Sequence, residues 1–113
     1  MRIERELMRG AGPLAVLKLL GRGEMYGYQL VEDLARQSDG VLAMGQSTLY
    51  PMLYNLQAKG MIAARIDRTA AARPRKYYRL TGKGKRKLAS DIAQWQAMVG
   101  AMESLGVTVR QPA

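Results

Sequence analysis

Residues 47–81 read STLYPMLYNLQAKGMIAARIDRTAAARPRKYYRLT, and the hydrophobic period changes once within them. Up to Lys59 it is helical, because Leu49, Met52, Leu53 and Leu56 share one face and Gly60 supplies a C-terminal stop. This predicts a helix over 46–59, with Ser47 or Thr48 capping its start. Pro51 is then tolerated within the first turn, where backbone N–H groups lack intrahelical partners. Beyond Gly60, Met61–Ile66 and Lys76–Leu80 read as short β segments, the second carrying the Tyr77–Tyr78 pair. Between them Asp67–Arg75 is a basic connector without apolar periodicity.

Upstream, Gly12-Pro13 suits a helix start, and Leu14, Leu17 and Leu20 recur at helical spacing until Gly21 and Gly23. Residues 2–9 make at most an amphipathic turn or two, with Ile3 and Leu7 on one side. A second helix is expected from about Met25 to Ser38, burying Leu30, Val31 and Leu34, with Ser38-Asp39-Gly40 as its stop. Gly27 inside it is costly for a helix, which points to close helix packing. From Thr81 a long helix runs to about Leu105. Along it Leu88, Ile92, Trp95, Val99 and Met102 form a heptad seam suited to a partner helix. The expected fold is mainly α with a two-stranded β wing. It divides into a winged helix-turn-helix with an N-terminal helical extension over 1–80, a dimerisation helix over 81–105 and a frayed tail over 106–113.

The chain has 113 residues, 48% hydrophobic and 24% charged, which is the composition of one folded domain and not of a disordered basic tail. No apolar run suffices to cross a bilayer, and MRIERELMRG alternates charge with apolar residues where a signal peptide needs an unbroken apolar stretch. A cytoplasmic protein without membrane contact is expected. The chain lacks both Cys and His, which removes thiolate nucleophiles, imidazole bases and Cys/His metal sites together. With no Gly-rich phosphate loop or Gly-x-Ser-x-Gly elbow either, neither enzyme chemistry nor a metal or cofactor is expected.

The net charge of +9 is segregated. Residues 65–87 hold ten basic side chains against one acid, Asp67, while the rest of the chain balances its cations and carboxylates one for one. Solubility does not require such segregation, whereas docking on a polyanion does. The 46–59 helix supplies a reading face: with its leucines in the core, it presents Gln46, Ser47, Thr48, Pro51 and Asn55, flanked by Tyr50 and Tyr54. Asn can read adenine bidentately in the major groove, and hydroxyls can contact base or phosphate. Gln46, Ser47, Thr48, Tyr50 and Asn55 are therefore the candidate contacts of the helix. Arg68, Arg73, Arg75, Lys76 and Tyr77 are those of the wing, whose cations grip backbone phosphates.

The stretch STLYPMLYNLQAKGMI followed by RPRKYYRLT, with GPLAVLKLL and MYGYQL upstream, resembles the PadR family of bacterial transcriptional regulators. The similarity covers roughly residues 11–105. It implies a winged-helix homodimer that represses transcription from a palindromic operator in double-stranded DNA, released by a small molecule in some members. Thr48, Leu49, Tyr50 and Pro51 match the start of the family's recognition helix, and Lys76, Tyr77 and Tyr78 match its wing strand. Tyr50 and Tyr77 also suit packing roles. Two departures stand out. Tyr54 and Asn55 occupy mid-helix positions that are often basic in the family, and DRTAAARPRKYY replaces a wing that is commonly acidic and Gly-rich. Its three alanines make the wing less flexible.

The single C-terminal helix resembles that of the compact PadR subgroup. In some of its members a Trp on this helix lines a dimer-interface cavity for flat apolar drugs, and Trp95 falls at the matching place. Trp95 and Met98 are thus candidates for a pocket taking a small planar aromatic effector, and Trp95 serves equally well as an anchor of the dimer core. The competing function is a small basic RNA-binding protein, which composition alone serves as well. Against it, the chain has no Phe, and its tyrosines fall within helical or strand patterns instead of forming a stacking platform. A purely protein-binding winged helix would bind with little salt dependence.

Overall fold

A computed structural model describes residues 1–69 and 73–109. The elements run α1 (Arg5–Leu20), β1 (Met25–Tyr26), α2 (Gly27–Gln37), α3 (Gln46–Ala58), β2 (Ile62–Asp67), β3 (Arg75–Leu80) and α4 (Gly82–Ser104). Three helices ahead of a β2–β3 hairpin make the winged-helix order. The alanines of the wing, Ala70–Ala72, and the last four residues of the tail lie outside the described residues.

Four expectations are corrected. First, α1 is one helix from Arg5, not a helix starting at Gly12-Pro13 behind a separate amphipathic turn. Pro13 is accommodated inside it because Gly12 has no Cβ to meet the proline ring. Second, Met25 and Tyr26 do not open α2. They form a short strand, and α2 starts at Gly27. Third, neither Ser47 nor Thr48 caps α3: Gly45 is the N-cap, and its carbonyl accepts the N–H groups of Thr48 and Leu49 at 3.1 and 3.0 Å. Fourth, Pro51 is the sixth residue of α3, beyond the first turn, so the carbonyl of Ser47 lacks its usual donor.

The sheet is three-stranded, in the order β1-β3-β2 and antiparallel throughout. The predicted two-stranded wing therefore gains an edge strand, which pairs Met25 with Tyr78 and Tyr26 with Tyr77. In β2–β3 the register sets Ile62 against Leu80 and Ala64 against Tyr78. These residues face the core, and Ala63, Arg65 and Asp67 point the other way with Arg79, Tyr77 and Arg75.

The core is apolar throughout, with Val16, Leu17, Leu30, Leu49, Leu53 and Ile62 fully enclosed and no buried charged residue among those described. Gly60 ends α3 as the sequence predicts. With φ of 76° it lets its own N–H reach Gln57 O at 2.9 Å and that of Met61 reach Leu56 O at 2.9 Å, a Schellman closure. The next step fixes α4. The Thr81 hydroxyl donates to Gly60 O and accepts from the Gly84 N–H at 3.0 Å, and Gly84 lies so close to the residue before β2 that a Cβ there would sit 1.9 Å from Met61 O. Gly84 is the only fully buried residue of α4. Leu88 packs against the chain's own core, and Ile92 is half-buried. Trp95, Val99 and Met102 are exposed.

Candidate nucleic-acid interface

Because α3 turns Leu49, Leu53 and Leu56 inward, its outer ridge consists of Ser47, Pro51, Tyr54 and Ala58, all exposed and none charged. Gln46 and Tyr50 lie along one flank of that ridge, Thr48 and Asn55 along the other. The Tyr50 flank faces α2, where the ring lies across Gly27. This is the close packing that the costly glycine foretold. The Asn55 flank faces an open groove of about 800 Å³ between α1, α3 and α4, bordered by Pro13, Met52, Lys59, Trp95 and Met98. Trp95 and Met98, expected at a cavity between two C-terminal helices, here border a groove against α1 and α3 of their own chain, with Asn55 in the same groove.

The wing sorts its cations by strand alternation. On the outer face of the sheet, the Tyr77 ring is half-buried between Arg65, whose guanidinium lies 4.8 Å from its centroid, and Tyr26, edge-on at 5.8 Å. Arg75 covers Tyr26 at 4.8 Å. Arg65 donates from Nε to both Glu24 carboxylate oxygens, at 3.0 and 2.9 Å. That hydrogen-bonded pairing holds the Glu24 carboxyl below the usual carboxylate range and pushes the Arg65 guanidinium up. Hydrogen bonds from the Thr69 N–H and hydroxyl lower Asp67 likewise. Arg65 is therefore neutralised at home, while Arg68, Arg73, Arg75 and Lys76 are exposed and take part in no ion pair among the described residues.

On the inner face, Lys76 Nζ lies 5.5 Å from the Tyr78 ring centroid. Here the start of α2, Tyr50 of α3 and the root of β3 enclose a cleft. Its walls carry Tyr26, Tyr28, Tyr50 and Tyr78 together with Arg73, Arg75 and Lys76, and no carboxylate. Arg68, just past the end of β2, does not line it. The cleft joins three of the wing candidates to Tyr50 of α3, so the helix flank and the basic strand form one continuous surface.

Residues 16–90 match the family described as the transcriptional regulator PadR-like family. The chain belongs to that family. This PadR-like regulator is 33% identical over 87 residues to the transcriptional regulator Rv3488 of Mycobacterium tuberculosis, an alignment covering 77% of this chain and 78% of that one. A PadR family transcriptional regulator from Eggerthella lenta superposes with a TM-score of 0.78 at 35% identity, covering 93% of this chain and 88% of the other. A transcriptional regulator from Clostridium thermocellum shares the fold at a TM-score of 0.81 and 24% identity, over 90% and 96% of the two chains.

Sequence reasoning missed the contribution of MYGYQL to this surface. Read as helix, the segment conceals that Tyr26 and Tyr28 straddle the strand-to-helix junction at Gly27 and both border the cleft. A tyrosine on each side of a glycine was the available signal. The neutralisation of Arg65 had no local signal, since Glu24 lies 41 residues away.

Proposed function

We propose that this PadR-like transcriptional regulator binds double-stranded DNA, with the outer ridge of α3 in the major groove and the wing cations on the flanking phosphates. The observation that carries this reading is the continuity of an uncharged helix ridge with a cation-lined, carboxylate-free cleft. Base edges are read by short polar and apolar groups, and phosphates are held by Lys and Arg, so the two roles fall on adjacent surfaces. Regulation follows as repression from a palindromic operator. For that the chain acts as a two-fold homodimer, with half-sites about 34 Å apart on one face of the duplex. The exposed run of Trp95, Val99 and Met102 on a helix with only one fully buried residue supports α4 as the dimer contact, extended by Ile92.

Competition between duplex DNA and single-stranded RNA of equal length, repeated across a salt series, tests this directly. Duplex preference with affinity falling steeply as salt rises is expected. Preference for RNA, or binding indifferent to salt, would overturn the reading. An effector role for the Trp95 groove is consistent with its size, which lies within the range of small-molecule sites of about 300–1,000 Å³, and with its borders, where Asn55 and Lys59 of α3 face Trp95 and Met98 of α4.

A further inference from the structure

Tyr78 is only 4% exposed, and its hydroxyl makes no hydrogen bond to any described residue. A buried hydroxyl without a partner is costly. Yet no side-chain polar atom among the described residues is both sealed from solvent and unpartnered, so this hydroxyl opens outward, onto the cleft whose wall Tyr78 forms. Above the cleft begins α2, an eleven-residue helix whose N-cap provides no side-chain hydrogen bond and whose first turn holds no acid. Its free N–H groups and positive dipole end favour an anion. Arg73 and Lys76 add two cations.

We propose that this cleft seats one phosphodiester of the DNA backbone, held by the Tyr78 hydroxyl, the first N–H groups of α2 and the Arg73 and Lys76 side chains. The assignment rests on the DNA-binding reading and names its phosphate anchor. A phosphate oxygen accepts hydrogen bonds and cannot donate them, so the seat needs donors, and Tyr78 meets that need. Burial, reinforced by nearby Tyr50, pushes its pKa up and keeps the proton on the hydroxyl. An open cleft beside the α3 ridge suits a strand that passes through. Tyr50 closes the α3 side, which places the seated phosphate next to the bases that the ridge meets.

The test uses the whole protein and a random-sequence duplex, measured by anisotropy across a potassium chloride series. Tyr78→Phe removes a neutral donor. It is expected to weaken binding roughly tenfold with no change in salt slope, since a hydrogen bond to a charged partner is lost. Its melting temperature holds or rises, because the hydroxyl has no internal partner. Arg73→Ala is expected to lower the slope by about 0.9, one phosphate's worth. Wild-type affinity in both variants overturns the seat while leaving DNA binding intact; failure of the wild-type protein to bind duplex overturns both. A parallel series in potassium phosphate at matched ionic strength is expected to compete no better than chloride. Selective competition by phosphate that disappears in Tyr78→Phe would assign the cleft to free phosphate and overturn the proposal.

Discussion

A Cβ on Gly27 would lie 2.6 Å from the Tyr50 hydroxyl oxygen, so the first residue of α2 is glycine because the α3 tyrosine occupies the space. Helix propensity favours Ala over Gly by about 1 kcal/mol in a helix interior and by less at this first helical position. Overpacking opposes that gain and is larger, at about 1–3 kcal/mol. Gly27→Ala is therefore expected to destabilise the wild-type protein and to become neutral or stabilising in a Tyr50→Ala background. A double-mutant cycle by urea unfolding measures the coupling, and additive effects would show that the two residues do not constrain each other.

A harder contact fixes α4. At Gly84 the obstacle is the Met61 carbonyl oxygen, 1.9 Å from where an alanine methyl would sit, and backbone cannot swing aside as a side chain can. Gly84→Ala is expected to cost about 3 kcal/mol or more, at the upper end of overpacking penalties. Gly82→Ala, two residues earlier, meets only the end of Arg86 at 3.6 Å and is expected to be neutral. Thermal melts of the pair separate the contact from general helix propensity, and equal melting temperatures would refute it.

How far the sequence carried the fold shows in these same elements. The α3 leucines, the Gly60 stop, the β2–β3 hairpin and the extent of α4 are periodic or punctuated locally, and all were legible. The β1 strand was not, because two residues carry no period and are held by pairing with Tyr77 and Tyr78, some fifty positions on. Pro13 misled because a proline that suits a helix start lies inside α1, where Gly12 before it has no Cβ to meet the ring; at Pro51 the helix runs through as expected, and only its place beyond the first turn was missed. At the candidate site, charge segregation pointed to the wing but could not sort Arg65, held by Glu24, from the cations that take part in no ion pair among the described residues.

That ion pair gives a pH prediction. The folded Glu24 pKa lies below its ordinary 4.5, so its stabilising contribution is fully present above that value and is lost as pH falls through the lowered one. Glu24→Gln is expected to lower the melting temperature at neutral pH and to converge with wild type in acid. The same substitution frees Arg65, so non-specific duplex binding should strengthen, with a salt slope steeper by up to about 0.9. Parallel melting curves at every pH would show that the pair is not formed.

Base and phosphate contacts separate by a second pair of variants. Arg75→Ala removes an exposed cation from the wing and is expected to weaken binding to all sequences, lowering the salt slope by about one unit. Asn55→Ala, on the flank of α3, is expected to cost about 1–3 kcal/mol on the selected operator and little on random DNA. Operator duplexes for the comparison come from recovering bound genomic fragments. Equal losses on specific and random DNA in both variants would mean that α3 does not read bases.

Trp95 is the only tryptophan, 42% exposed, so its fluorescence reports the groove without ambiguity. The groove offers this ring and the adaptable Met98 on α4, facing Pro13 of α1 and Asn55 of α3. Flat apolar ligands favour such surfaces. Titration with planar aromatic compounds is expected to quench Trp95, and Met98→Ala to weaken the quenching. Binding by itself changes nothing on DNA. A ligand with equal affinity for the free and DNA-bound forms shifts no equilibrium, so release requires that the groove be narrower or wider in one of them. Because Asn55 and Lys59 border the groove, a ligand that contacts them displaces the flank of α3 directly, and operator affinity should fall as quenching saturates. Ile92→Lys separates this from assembly: sedimentation is expected to show a dimer for wild type and a monomer for the variant. If the effector site lies within one chain, the monomer still quenches; if it needs two α4 helices, quenching and assembly disappear together. Absence of quenching in the wild-type protein at solubility-limited concentrations would leave Trp95 as a packing residue alone.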